Sequence, residues 1–326
     1  MTGGVKMSIE STILGLVFNV DNWAKFPFID IRDKFPDVTN EYDITFDKKE
    51  EDVCKADLHY KPREDGKKMP VLLNIHGGGW IIGDKSNSTS YCLPFAEEGF
   101  FVMNVNYGMP EKILKPFFNK VDPKEFHNKK WVWPYPIKTH FLAMKWLEKN
   151  AKKYNLDLDN VFIAGDSAGS HMTAVVCACF CDDKYAKKLK VEKPSFVPKG
   201  YIMNCGLYKV SIYEHIPIGR AMMQRFTGYK NIKKCKLYDE LNPIPYINKK
   251  ANNVLVVKGQ FDIMTIFQSD MMVKRLKKQK VNYDFYVGRG FPLATFHDFM
   301  FLTFTKHSKD CMKYETEWVK KIAKKR

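Results

Sequence analysis

Ser167 stands at the centre of Gly165-Asp166-Ser167-Ala168-Gly169, between two apolar segments of different character. Upstream, Val161-Phe162-Ile163-Ala164 is a short continuous apolar run that reads as a buried strand, while residues 171–177 read as a buried helix. A chain that passes from strand to helix within three residues forces the central side chain of the turn into a tight, exposed position. The glycines at 165 and 169 fall where a Cβ would meet the turn or the neighbouring backbone. The Ser167 hydroxyl then stands at the carboxyl edge of a sheet, open to a base. The alternative for the same residues is a Gly/Ser-rich helix start capped by Ser167.

A serine nucleophile needs a base, the base needs an orienting acid, and the developing oxyanion needs fixed donors. The donor candidate is His76-Gly77-Gly78-Gly79-Trp80, directly after the apolar run at 71–75. Consecutive glycines let peptide N–H groups turn into a cleft, and the N–H of Ala168 can point at the same place. A plain flexible loop is the competing reading. The acid belongs near a strand's carboxyl end, which selects Asp262 after residues 254–257; Asp270 falls in the following helix and Asp284 inside a strand. A helix N-cap is the other use for Asp262. The base belongs after the next strand, which selects His297 behind the loop Gly288-Arg289-Gly290, with His307 in the closing helix as the alternative. His171, one helical turn beyond Ser167, reads as packed inside, and His76 as an anchor for the glycine loop.

The elements that must hold these residues alternate between strand and helix. Strand patterns cover 42–46, 53–60, 71–75, 100–105, 161–164, 200–205, 253–258 and 282–287. Helical patterns cover 91–98, 137–154, 168–181, 220–226, 267–278 and 299–324. This order predicts an α/β architecture, a mostly parallel central sheet with helices on both faces. The stretches 110–133 and 206–240 read as insertions on that sheet, within a catalytic domain spanning 41–326. Residues 1–40, with an amphipathic stretch at 9–26, form a separate N-terminal segment.

Together, HGGGW, GDSAG, Asp262 and His297 resemble the hormone-sensitive-lipase-like branch of the α/β-hydrolase esterases. The order Ser, Asp, His matches that fold. The likeness runs from about residue 42 to the C-terminus and is weak over 1–40, 110–133 and 206–240. It implies an α/β-hydrolase fold in which Ser167 attacks an ester carbonyl, His297 shuttles the proton and Asp262 orients and charges the histidine. The N–H groups of Gly78, Gly79 and Ala168 would form the oxyanion hole, with no metal or cofactor. It also implies a cap built from residues 1–40 and 206–240. Trp80 and Tyr107 are the candidate substrate contacts. Phe117, Phe118, Trp131, Trp133, Met222, Met223 and Phe226 are candidates for an apolar acyl pocket, with ordinary cap packing the alternative. The long stretch after Asn106-Tyr107-Gly108, Ser170 beside Gly169, and the long loop before His297 depart from the pattern. The expected activity is that of a serine carboxylesterase on short-chain acyl or acetyl esters. An amide-cleaving deacylase or peptidase of the same fold, or a non-catalytic ligand-binding receptor, is the alternative.

Composition narrows the surroundings. At 326 residues, 45% hydrophobic and 14% aromatic, the chain can build a substantial core. The net charge of +16 comes from lysines scattered along the chain, without finger spacings or an RNA-binding aromatic signature, so a nucleic-acid partner is not expected. Eight irregularly spaced cysteines suggest buried free thiols in a reducing compartment rather than a metal site. The apolar run at 13–18 is too short for a transmembrane segment, and no small-residue cleavage site follows it. A cytoplasmic enzyme acting on a small-molecule ester is the expectation, with a homo-oligomer left open.

Overall fold

The computed structural model describes residues 31–109 and 130–324. The amphipathic stretch at 9–26, most of the insertion at 110–133, and Phe117 and Phe118 lie outside the described residues.

Eight strands form one sheet: β1 (Thr39–Thr45), β2 (Lys55–Tyr60), β3 (Met69–Ile75), β4 (Phe101–Val105), β5 (Leu156–Asp166), β6 (Gly200–Asn204), β7 (Asn253–Gly259) and β8 (Asn282–Gly288). Their spatial order is β1-β2-β4-β3-β5-β6-β7-β8. The pairs β1/β2 and β2/β4 are antiparallel, and every pairing from β4 to β8 is parallel. This is the α/β-hydrolase fold. The described α-helices are α1 (Thr89–Glu97), α2 (Tyr135–Asn150), α3 (Ser167–Cys181), α4 (Asp183–Leu189), α5 (Pro217–Thr227), α6 (Gln268–Lys278) and α7 (Lys306–Ala323).

The apolar runs are continuous because the central strands are covered on both faces. Alternate side chains feed two separate cores. Val71, Leu73, Val161, Ile163, Val254 and Val256 face the core shared with α2, α3 and α6. Leu72, Phe162, Ala164, Leu255 and Val257 face the one shared with α1 and α7. Strands β4 and β6 are buried throughout, whereas the edge strands β1 and β8 are mostly half-buried or exposed. All the parallel strands therefore end at one edge, and the loops leaving that edge are the place for a site.

Two boundaries differ most from the sequence reading. Strand β5 begins at Leu156 rather than 161, because Leu156 and Asp157 pair with Met69 and Pro70 ahead of a register shift. The polar Leu-Asp-Leu-Asp-Asn run hides that extension. The closing helix does not start at 299: a 3-10 turn at Phe299–Phe301 ends, and α7 begins afresh at Lys306. The Thr305 hydroxyl accepts the Ser308 N–H at 3.1 Å, a side-chain cap that starts the new helix.

Candidate active site

The turn from β5 into α3 presents Ser167. Its φ is +50°, a left-handed backbone that a serine adopts only under local constraint. The constraint is close packing of α3 against β3: a Cβ on Gly169 would lie 2.0 Å from the carbonyl oxygen of Ile75. Only glycine lets the start of α3 approach β3 so closely, and this fixes where Ser167 stands.

Asp262 and His297 arrive from loops behind β7 and β8. His297 Nε2 lies 2.9 Å from Ser167 Oγ. Its Nδ1 lies 3.1 and 3.0 Å from Asp262 Oδ1 and Oδ2. In the neutral ring that can act as a base, Ser167 O–H donates to Nε2 and Nδ1–H donates to Asp262. Asp262 is buried and also accepts from the N–H groups of Met264 and Thr265, both at 3.1 Å, and from the Thr265 hydroxyl at 2.5 Å. The capping use and the histidine-facing use thus coexist in one carboxylate. Burial opposes its charge, but His297 and the Thr265 donors hold it below the usual carboxylate range. Burial also disfavours a charged His297, yet Asp262 and Asp298 overcome this and raise the ring to about 10. The alternatives named from sequence lie elsewhere: Asp270 pairs with Lys258, and Asp284 accepts from the Trp318 indole.

The glycine loop closes the other side. Gly78 and Gly79 have φ of +106° and +58°, and both line the same cavity as Ser167. Ala168 sits in the first turn of α3, where a backbone N–H lacks an intrahelical acceptor. Tyr107 does not line the cavity. Its ring stacks on His76 with centroids 4.5 Å apart, and its hydroxyl donates to the carbonyls of His76 and Gly77 at 3.2 and 3.3 Å. Placed under the loop, Tyr107 supports its backbone; a buried phenol takes the nearest carbonyls rather than the solvent side. His76 Nδ1 lies 2.7 Å from the Gly77 carbonyl.

Trp80 lines the cavity but is almost wholly buried. Its indole N–H donates to His171 Nδ1 at 3.0 Å, and His171 Nε2 reaches the Leu241 carbonyl at 2.8 Å. Those two bonds fix His171 as the neutral Nε2–H tautomer, and burial lowers its pKa to about 4. The histidine ties the glycine loop to the 3-10 turn at Asp239–Leu241, a connection with no signal in the sequence.

The cavity measures about 250 Å3. Its remaining walls come from Leu207, Tyr213, Ile216, Ile218, Gly219 and Met222, and from Ile263 and Met264 after β7. Of the aromatic and methionine candidates named from sequence, Met222 lines it. Met223, Phe226 and Trp133 are packed in the core, and the Trp131 indole donates to Glu50 at 3.3 Å. A larger, more open cleft of about 960 Å3 lies at the opposite edge of the sheet, lined by Arg63, Lys199 and Lys320 with acidic neighbours, and among the described residues no serine, cysteine or histidine lines it.

Sequence reasoning missed Asp298. Its carboxylate reaches back to His297, with Oδ2 3.2 Å from Nε2. The bend depends on a φ of +53°, which spacing does not reveal. Cys205, His297 and Asp298 bring three donor atoms within 4.8 Å of one another, the one metal-like grouping among the described residues. Both ring nitrogens of His297 already face Ser167 and Asp262, so the trio does not amount to a metal centre.

A family model described as BD-FAE matches residues 57–276, more than half of the chain. Esterase LipQ of Mycobacterium tuberculosis is 23% identical over 205 residues, 61% of this chain and 43% of that protein. Arylacetamide deacetylase of Bos taurus is 26% identical over 256 residues, 74% of this chain and 58% of that protein. The chain thus spans about half the length of these curated relatives. Among solved structures, esterase B from Lactobacillus rhamnosis with a tributyrin phosphonate superposes with a TM-score of 0.74 at 20% identity, covering 98% of this chain and 97% of that one. With the fold and the family match in agreement, the chain belongs to the BD-FAE family and is an α/β-hydrolase.

Proposed function

We propose that this protein is a serine carboxylesterase that hydrolyses short-chain acyl or acetyl esters through an acyl-enzyme. The carrying observation is the line Ser167–His297–Asp262, with spacings of 2.9 and 3.0 Å, at the wall of a cavity shared with the glycine loop. In this reading Ser167 Oγ attacks the ester carbonyl as His297 Nε2 takes its proton. The oxyanion is held by N–H groups of Gly78, Gly79 and Ala168. The imidazolium returns the proton to the leaving alkoxide, which departs as alcohol. Water repeats the sequence on the acyl-serine, with His297 again as base, and releases the acid. Asp262 keeps the ring oriented throughout.

A cavity of about 250 Å3 lies below the common range for ligand pockets of roughly 300–1,000 Å3, which supports a short acyl group. Resemblance to proteins called esterases in bacteria, and fold likeness to esterase B, support an ester over other acyl compounds. An amide-cleaving deacylase is the second reading, favoured by the likeness to a protein named arylacetamide deacetylase. Hydrolysis of p-nitrophenyl acetate through octanoate, beside p-nitroacetanilide, separates the two. The ester reading expects turnover highest at acetate or butyrate, poor cleavage of the anilide, and loss of both in Ser167→Ala. Undiminished turnover in that variant overturns the nucleophile assignment.

A cytoplasmic setting and a small-molecule partner complete the proposal. All eight cysteines are buried and stand outside any disulfide, as suits a reducing compartment. Among the described residues no helix is long and apolar enough to cross a membrane.

A further inference from the structure

Asp298 occupies a position for which the proposed mechanism has no use. Its Oδ2 lies 3.2 Å from His297 Nε2, the same nitrogen that faces Ser167 Oγ at 2.9 Å. Among the described residues its Oδ1 is buried without a hydrogen-bond partner, so the 18% exposure of this side chain falls on the remainder that borders the cavity. Among the described residues, no lysine or arginine lines that cavity. Besides His297 and the Tyr213 phenol, whose hydroxyl donates to the Met264 carbonyl at 2.7 Å, the other titratable groups around it among the described residues are acids or a thiol. Asp262 faces Nδ1, Asp166 is buried at the end of β5, and the Cys205 thiol is pushed well up by burial.

A carboxylate so placed opposes the hydrolysis of a neutral ester. It holds a proton on Nε2, where the base must be free, and it repels the oxyanion forming nearby. Both penalties vanish when a cation sits on the carboxylate. An ammonium group in the substrate would take Oδ2 from the histidine, offset the negative charge, and gain a charge-assisted hydrogen bond in an otherwise apolar pocket. Burial, with the neighbouring Asp262 charge, lifts the Asp298 carboxyl to about 7 against the opposing pull of His297 and the Cys205 thiol.

We infer that Asp298 is a specificity-determining residue that receives a protonated amine, so that the favoured substrates are esters carrying an ammonium group close to the scissile bond. This rests on the esterase reading above.

The test compares isosteric pairs. In the alcohol arm, 2-(dimethylamino)ethyl acetate is set against 3-methylbutyl acetate. In the acyl arm, ethyl 4-(dimethylamino)butanoate is set against ethyl 5-methylhexanoate. A charge-assisted hydrogen bond predicts a preference in kcat/KM of about 10–100-fold for the amine in at least one arm. The arm that responds tells which half of the ester carries the cation. Asp298→Asn should bring the ratio to about one and raise kcat/KM on the neutral ester. Asparagine and glycine both tolerate the left-handed backbone at this position, so Asp298→Gly provides a second folded variant with the same expected outcome. Turnover of p-nitrophenyl acetate, lost in Ser167→Ala, reads the esterase assignment separately. With that turnover present, a wild-type preference below about threefold in both arms, or one that survives both Asp298 variants, overturns the inference. Absence of ester hydrolysis altogether overturns the underlying reading and this one with it.

Discussion

Gly169→Ala probes how the strand–turn–helix geometry holds Ser167, the proposed nucleophile. The new Cβ would lie 2.0 Å from the Ile75 carbonyl oxygen and 2.7 Å from that of His76. Both are backbone atoms, so no side chain can swing aside. To reach ordinary contact at 3.4 Å, the start of α3 and the end of β3 must separate by about 1.4 Å. That movement carries Ser167 away from His297 Nε2, now 2.9 Å distant, and away from the glycine loop that continues from Ile75-His76. A misplacement of about 1 Å costs roughly 10²-fold in rate. Overpacking of this kind costs about 1–3 kcal/mol of stability. The expected result is a fall of about 10²-fold in kcat/KM on p-nitrophenyl acetate, with a melting transition a few degrees lower. An alanine enzyme within about threefold of wild type, as folded as before, would refute the argument that this approach positions the serine.

Other perturbations reach different parts of the site. His171→Leu removes the acceptor of the Trp80 indole and the donor to Leu241, leaving two buried polar groups unpaired. It should cost about 1–3 kcal/mol in denaturant unfolding and lower kcat by loosening the glycine loop. Met222→Ala enlarges the cavity wall and should shift the chain-length optimum of p-nitrophenyl esters upward, read from kcat/KM across the series. The neutral ring is needed for general base action, so kcat/KM on p-nitrophenyl acetate should climb with pH and level only above about 10. The folded pKa of His297 lies above its ordinary value of 6.5, so the ion-pair stabilisation is complete below pH 6.5 and lost as pH rises through about 10. The melting-temperature advantage of wild type over His297→Asn should therefore shrink between about pH 7 and about pH 10.5.

The parts of this fold that announce themselves in the sequence are those set by local backbone demands. Gly165 and Gly169 mark close backbone approaches, Gly78 and Gly79 mark left-handed positions, and continuous apolar runs mark strands covered on both faces. A parallel sheet then sends every strand end to one edge, which is why an acid after β7 and a histidine after β8 meet a serine after β5. Features that depend on one dihedral or one distant carbonyl stay hidden. Asp298 reaches Nε2 through a left-handed bend, and His171 joins Trp80 to Leu241 across the interior. Tyr107 follows a strand into the site's neighbourhood, but its hydroxyl is taken by the carbonyls of His76 and Gly77. The break before α7 turns on the Thr305 cap, which helical periodicity alone overlooks.

Covalent labelling of Ser167 tests the central claim most directly. A fluorophosphonate reagent should modify the protein once, with the added mass on the peptide containing Ser167. The reaction should be abolished in Ser167→Ala and strongly slowed in His297→Asn, and p-nitrophenyl acetate turnover should fall in step with labelling. Label on another residue, or an unlabelled protein that still hydrolyses the ester, would contradict the account.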